Sequence, residues 1–79
     1  MAYEIIRDET CVGLLTRSQC DTLQEHFNPN SEVIQMNDAR WPSGCAHVVG
    51  TDPIQLQFNT HVGSVPCTNS DCYCSGKTL

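Results

Sequence analysis

The chain has 79 residues and a formal net charge of −5 at pH 7, from nine acidic residues and four Lys+Arg. A chain this acidic lacks the basic surface with which proteins bind nucleic acids or anionic membranes, so neither partner is expected. No apolar run approaches the ~18 residues of a membrane span, and residues 1–79 are predicted to form a single domain.

The first predicted elements are a strand and a helix. Residues 3–7 are rich in β-forming side chains. Thr16, with Gln19 three residues later, forms a capping-box pattern that starts a helix, and Pro29 ends it. The apolar stripe of this helix includes Cys20, which we therefore expect to point into the core. Three polar residues are expected on its solvated side: Gln24, Glu25 and His26.

Further strands are predicted after the helix, separated by turn residues. Residues 54–59 alternate strictly between apolar and polar side chains, which is the best strand signal in the chain. The apolar members are expected to face the core: Ile54, Leu56 and Phe58. The other predicted strands are residues 32–36, 45–49 and 61–65. This order predicts an α+β fold, one helix packed on a mainly antiparallel sheet of about four strands, with an all-β sandwich as the alternative.

Six cysteines are spread along the chain, and their even number predicts three disulfides that staple a small fold in an oxidising compartment: Cys11, Cys20, Cys45, Cys67, Cys72 and Cys74. The core of so short a chain is marginal, and each bridge adds about 2–4 kcal/mol to its stability. The spacing of the cysteines does not show which of them pair in the three disulfides. The two cysteines nearest each other, at 72 and 74, are expected to face opposite sides of an extended segment and to bond separate partners.

Zinc binding is the alternative use of these side chains. Cys45-Ala46-His47 and Cys72-Tyr73-Cys74 could supply the ligands, with His61 and Cys67 in reserve. A one-residue gap is tight for tetrahedral coordination, because paired zinc ligands are usually separated by about two to four residues. Cys11 and Cys20 would also have no role in such a zinc site. We therefore expect no metal and no cofactor.

The sequence contains no catalytic constellation. A serine-nucleophile elbow, a phosphate loop and an HExxH motif are absent, and the even number of cysteines argues against a free nucleophilic thiol. The histidines are expected to be ordinary polar side chains: His26, His47 and His61. The chain is therefore not expected to be an enzyme.

The segment Arg40-Trp41-Pro42 is the main candidate for a contact surface. Tryptophan and arginine often anchor interfaces, and loops are where a rigid scaffold displays them. The alternative is that Trp41 packs back over the small core. A second candidate is residues 64–69, because a disulfide at Cys67 could hold a pre-ordered loop of the kind used by protease inhibitors. An ordinary stapled turn fits this segment equally well.

These features predict a secreted, disulfide-rich binding protein of toxin or virulence-effector type, which contacts an unknown protein or glycan without chemistry. An inhibitor of a secreted hydrolase and a small zinc-binding module are the alternatives. The first residues have neither the basic start nor the apolar stretch of a signal peptide, so a secreted chain is expected to be a mature form. The sequence specifies no oligomeric state, although an exposed edge strand could pair with a second copy.

Overall fold

The computed structural model describes residues 3–47, 50–63, 65–68 and 71–76, and it shows one helix packed on a five-stranded sheet. The elements in chain order are β1 (Tyr3–Ile6), α1 (Arg17–Phe27), β2 (Ile34–Met36), β3 (Gly44–His47), β4 (Leu56–Asn59) and β5 (Asp71–Ser75). The predicted α+β class and the three disulfides are confirmed, and the sheet has more strands than the expected number of about four.

The sheet is mixed and has the strand order β1-β5-β3-β4-β2. Neighbouring strands are antiparallel except β2 and β4, which run parallel. The sequence predicts no strand at the position of β5, yet this strand lies between β1 and β3. Four of the predicted strands are found with shifted ends: residues 3–7, 32–36, 45–49 and 54–59. Residues 48 and 49, which belong to the predicted strand 45–49, lie outside the described residues.

The strand expected over residues 61–65 is wrong, because its described residues, 61–63 and 65, lie outside any strand. The backbone N–H of His61 donates to the side-chain oxygen of Asn59, at 3.1 Å, and the chain leaves the sheet there. Gly63 likewise donates its N–H to a side chain, the Ser43 hydroxyl, at 2.9 Å. Side-chain acceptors therefore take the backbone donors that a strand would have used.

The helix begins and ends as the sequence predicts. The backbone N–H of Gln19 donates to the Thr16 hydroxyl at 3.1 Å, and the Gln19 side chain accepts from the Thr16 N–H at 2.8 Å, which completes the capping box. The helix stops at Asn28, whose backbone is extended, immediately before Pro29. Among the described residues, no helix has the length and apolar character needed to cross a membrane.

The main core lies between α1 and the sheet. Its buried members are Leu15, Cys20, Leu23, Val33, Cys45, Leu56 and Tyr73, and Phe27, Ile54 and Phe58 pack against them. The prediction that the apolar side chains of β4 and its approach face the core is confirmed. The disulfide between Cys20 and Cys45 joins α1 directly to β3 in the middle of this layer.

A second, smaller core covers the opposite face of the sheet. Its buried members are Ala46, Cys67, Cys72 and Cys74, with Ile6 and Cys11 packed against them. Cys72 and Cys74 bond separate partners as expected, Cys67 and Cys11 respectively. The expectation that they face opposite sides is wrong, because residues two apart in a strand share one face.

Gln24 corrects the prediction for the solvated side of the helix: Glu25 and His26 are exposed, but Gln24 is only 2% exposed. Its Nε2 donates to the carbonyl oxygen of Ile54 at 2.9 Å, and its Oε1 accepts from the N–H of Leu56 at 2.6 Å. The buried amide therefore satisfies the backbone where the chain enters β4 and fixes that strand to α1.

Replacing Gln24 with alanine is expected to lower the free energy of unfolding by about 1–3 kcal/mol, because it leaves buried backbone groups without hydrogen-bond partners. Denaturant unfolding under non-reducing conditions measures this loss. Glu25→Ala, an exposed change on the same helix, is the matched control and is expected to shift stability by less than about 0.5 kcal/mol. Equal losses in the two variants would contradict the proposed role of the Gln24 amide.

Candidate functional site

Two loops leave the sheet at one end. Gly44, at the start of β3, is opposite Asn59, at the end of β4, and Met36, at the end of β2, is also in register with Asn59. Residues 37–43, which we call the Trp41 loop, therefore start and end beside the segment that follows β4, residues 60–63. Sheet topology brings these two loops together although two strands, β3 and β4, separate them in the sequence.

The side chain of Asn59 holds the backbone of the Trp41 loop in place through hydrogen bonds. Its Nδ2 lies within hydrogen-bonding distance of three backbone carbonyl oxygens, those of Asp38 at 2.8 Å, Trp41 at 2.9 Å and Pro42 at 3.1 Å. Its Oδ1 accepts from the backbone N–H of Asp38 at 3.0 Å and of His61 at 3.1 Å. Asn59 is only 2% exposed, so water cannot easily replace these bonds.

Asp38 and Arg40, which both belong to the Trp41 loop, form an ion pair with each other. The guanidinium donates through Nε to Oδ1 at 3.0 Å and through Nη2 to Oδ2 at 2.8 Å, and the backbone N–H of Arg40 also donates to Oδ1. The Arg40 side-chain and backbone hydrogen bonds lower the pKa of Asp38 to about 2. Because the arginine side chain is mostly exposed, the pair orders the loop but adds little to overall stability.

The second loop is tied to the first through Ser43. Its hydroxyl donates to the carbonyl oxygen of His61 and accepts from the N–H of Gly63 at 2.9 Å. The N–H of Thr60 donates to the carbonyl oxygen of Met36 at 2.8 Å, at the base of the Trp41 loop. Both loops therefore belong to one hydrogen-bonded unit.

Trp41 is 40% exposed and belongs to neither core cluster, although its backbone is fixed and Pro42 beside it is buried. Leu14 and Val62 are further exposed apolar side chains. Leu14, Pro42 and Gly63 line one small cavity of about 20 Å³, so the segments that carry Leu14, Trp41 and Val62 are neighbours. We call these three exposed side chains, on neighbouring segments, the Trp41 surface.

Gly44 allows Leu14 to approach this end of the sheet. Its φ of +83° favours glycine, and a Cβ built on it would lie 3.0 Å from Cδ2 of Leu14. Leu14 also forms an isolated bridge with Cys74, and Ser75 donates its N–H to the carbonyl oxygen of Gly13 at 2.9 Å. The segment before α1 is thus fixed against the sheet beside the Trp41 loop.

The cysteines and histidines form no metal site among the residues that the structure describes. All six cysteines are bonded in disulfides, which leaves no thiolate for the zinc alternative. His47 lies at the end of β3 with Nε2 3.4 Å from the carbonyl oxygen of Thr51, and His61 is half-buried in the loop after β4. His26 is exposed next to Phe27.

The other candidate loop, residues 64–69, is only partly described, since residues 64 and 69 lie outside the described ranges. Cys67 accepts from the N–H of Asp8 at 3.3 Å and donates its N–H to the carbonyl oxygen of Glu9 at 3.0 Å. Its side chain is buried in the bridge to Cys72. Cys67 is thus docked against the segment that follows β1, with Pro66 and Thr68 exposed beside it.

A groove of about 450 Å³ lies between α1 and residues 29–33, which follow it. Its charged lining consists of Arg17, Asp21, Glu25 and Glu32. Arg17 is already engaged, since its Nε donates to Asp21 at 2.9 Å and its Nη1 donates to Gln35. The groove is therefore an open, solvated acidic face, and the Trp41 surface is the better candidate site.

Of the residues 40–42 singled out in the sequence as a contact surface, Arg40 and Trp41 are exposed, but Pro42 is buried. The residue that organises this segment was not recognised. Asn59 stands at the end of a predicted strand, where asparagine often bonds nearby backbone groups, and only the fold shows that it bonds a loop about twenty residues earlier. Comparison with known proteins found no matching family model, no matching curated protein and no matching solved structure. The functional argument therefore rests on the geometry of this chain.

Asn59→Asp is expected to loosen the Trp41 loop, because a carboxylate oxygen replaces the amide that faces three carbonyl oxygens. The free energy of unfolding should fall by about 2 kcal/mol or more, and acrylamide should quench the fluorescence of Trp41, the only tryptophan, more strongly. Asn30→Asp makes the same chemical change at an exposed site and serves as the control. Unchanged quenching in Asn59→Asp would show that the amide does not hold the loop.

Arg40→Gln is expected to raise the pKa of Asp38 from about 2 towards its usual value of 3.8, since the guanidinium is the main cause of the shift. The lowered pKa means that the pair favours the folded loop above about pH 4 and is lost as the pH falls through about 2. An NMR titration of the Asp38 carboxyl carbon measures both midpoints. Arg7→Gln, which removes the partner of Asp71, should leave the Asp38 midpoint unchanged.

Proposed function

We propose that this chain is a secreted, disulfide-rich binding protein of toxin or virulence-effector type that contacts another molecule through the Trp41 surface and catalyses no reaction. The observation that carries the proposal is that Trp41 is exposed on a loop whose backbone is fixed by a buried side chain. A large aromatic ring held out to solvent in one position is the usual anchor of a protein interface.

Pre-ordering of the loop supports binding rather than simple packing. A flexible loop loses conformational entropy when a partner immobilises it, whereas the Asn59 and Asp38–Arg40 contacts have ordered this loop beforehand. An ordered loop can therefore use most of its contact energy for affinity. The contacts that order the loop do not lower the solubility of the free protein, because the charged Asp38–Arg40 pair faces water.

The chemistry of the surface indicates the class of partner. Arg40 is neutralised locally by Asp38, so the exposed Trp41 has an ion pair beside it in sequence and not an unpaired charge. Such a surface suits an apolar patch of a protein or the apolar face of a sugar ring better than a strongly charged ligand. The targets we propose are accordingly an extracellular protein or a glycan.

Three disulfides in a chain of 79 residues support the proposal of secretion. Bridges of this kind persist in oxidising compartments and are rare where glutathione keeps thiols reduced. At least one sulfur of each bridge is fully or almost fully buried, which suits a structural rather than a redox-active role.

Trp41→Ala is expected to weaken binding to the partner at least tenfold, because removing a central aromatic anchor typically costs about 2 kcal/mol or more. Wild type and variant would be compared on arrays of extracellular proteins and glycans, followed by titration of each hit. The thermal midpoint should fall by less than about 5 °C, since the side chain lies outside both cores.

Ile34→Thr is the matched control, because Ile34 is a comparably exposed apolar side chain on β2 and keeps β-branching after the change. It should leave binding unaffected. Partners that bind Trp41→Ala as tightly as wild type would contradict the proposal. Protease inhibition that survives Trp41→Ala but is lost on changing Pro66 would instead favour the inhibitor alternative.

A further inference from the structure

The outer edge of β1 is open to a further strand. β1 is the first strand in the sheet order and, among the residues that the structure describes, pairs on one side only, with β5. Edge strands are usually blunted by lysine, proline, a bulge, a charged side chain or shortness. The sequence Tyr-Glu-Ile-Ile of β1 contains no lysine or proline, and its one charged residue, Glu4, lies within a strand of four residues. Ile5 is 49% exposed there, and Tyr3, on the same face, is also exposed.

We propose that β1 pairs antiparallel with β1 of a second copy of this chain, which joins the two sheets into one. This proposal is independent of the proposed function. If a two-fold axis runs normal to the sheet, the helices of both copies lie on the same side. Each residue can then oppose only a residue that faces the same side of the sheet.

The faces of β1 follow from its register with β5. Ile5 is opposite Tyr73, whose ring lies in the helix-side core, so Ile5 and Tyr3 face the helix side. Arg7 faces the same side, since its guanidinium bonds Asp71, two residues before Tyr73. The remaining residues, Glu4 and Ile6, face the other side.

Charge selects one register among those that keep the faces matched. A pairing centred on Glu4 places this carboxylate opposite its own copy, and a pairing centred on Ile6 places it opposite Asp8; both oppose like charges. The turn at Asp8, with φ of +61°, also ends the strand before that pairing could form. A pairing centred on Tyr3 would use only residues 3–5 of the described strand, whereas a pairing centred on Ile5 uses all four of its residues and Arg7. The register that we propose is therefore centred on Ile5.

The register centred on Ile5 is complementary throughout. It packs Ile5 against Ile5 of the second copy, places Tyr3 opposite Arg7, and leaves Glu4 opposite the apolar Ile6. The Arg7 side chain stays bonded to Asp71 through Nε and Nη2 but is 71% exposed, so the accessible face of its guanidinium can cover the ring of the second copy's Tyr3. A contact of a few residues a side belongs to the weak class of interfaces, with a Kd of roughly 1 µM to 1 mM.

A dimer of this kind would present two Trp41 loops at once. Binding of the first loop raises the effective concentration of the second on any target that repeats, such as a cell surface. The weak contact between copies can therefore matter more for binding to a surface than for binding to a single molecule.

The test is sedimentation equilibrium of wild type and of variants at position 5, up to about 1 mM protein. Ile5→Lys should raise the dimer Kd at least tenfold, because it places two lysines opposite each other at the two-fold axis. Ile34→Lys is the matched control on the other edge strand, β2, where Ile34 is 51% exposed; it should leave the dimer unchanged.

The register itself is tested by mixing Ile5→Lys with Ile5→Glu. Each variant alone should dimerise at least tenfold more weakly than wild type, and the mixture should restore a dimer, since a register centred on position 5 brings the two new charges together. Ile5→Thr, which keeps β-branching, should weaken the dimer several-fold without disturbing the fold. Monomeric wild type at about 1 mM, equal effects of Ile5→Lys and Ile34→Lys, or a mixture that stays monomeric would each overturn the proposal.

Discussion

The rest of the structure depends on disulfides anchored in the two strands β3 and β5. Each bridge has at least one cysteine on these neighbouring inner strands: Cys45 on β3, and Cys72 and Cys74 on β5. The three partners come from three different segments, which are α1, the stretch before α1 and the stretch before β5. A pair of inner strands thus holds the helix on one face and two irregular segments on the other. In so short a chain, these covalent contacts replace the apolar side chains that a larger core would supply.

This central constraint explains how a loop can be ordered without a core of its own. Because β3 and β4 are fixed against each other, Asn59 at the end of β4 meets the Trp41 loop at a defined distance. The buried side-chain amide of Asn59 can then bond several backbone groups of the loop and keep Trp41 exposed to solvent. A tryptophan on a loosely held loop would instead fold back onto the protein to bury its ring.

The sequence predicted features that depend on local chemistry and not those that depend on distant pairing. The capping box at Thr16 and the core-facing side of β4 follow from patterns within a few residues, and the six paired cysteines follow from their even number in the chain. β5 could not be recognised, because it combines turn residues with cysteines and becomes a strand by pairing with β1, at the other end of the chain, and with β3. The parallel pairing of β2 with β4 is equally non-local.

Gln24 and Asn59 show the same limit for single residues. Each is a polar side chain whose sequence pattern predicts a solvated position or a simple strand end, and each is buried because it satisfies backbone groups that the fold brings to it. Trp41 is different, because the alternative that it packs back over the core is wrong: only its backbone is bonded to the structure, and the residue is 40% exposed and outside both core clusters.

The Trp41 loop and the open edge of β1 lie at different places on one sheet, and this separation has a consequence for function. The Trp41 loop and residues 60–63 leave the sheet at one end of β2, β3 and β4, whereas β1 is the strand farthest from β2 in the sheet order. Leu14 lies nearer to β1, since it bridges Cys74 of β5. A partner that contacts Trp41 therefore leaves the outer backbone of β1 available. Pairing through β1 in turn involves none of the hydrogen bonds that hold the Trp41 loop. The rigid disulfide-bonded centre allows the two surfaces to act independently, so that self-association can add to avidity without changing the affinity of each loop.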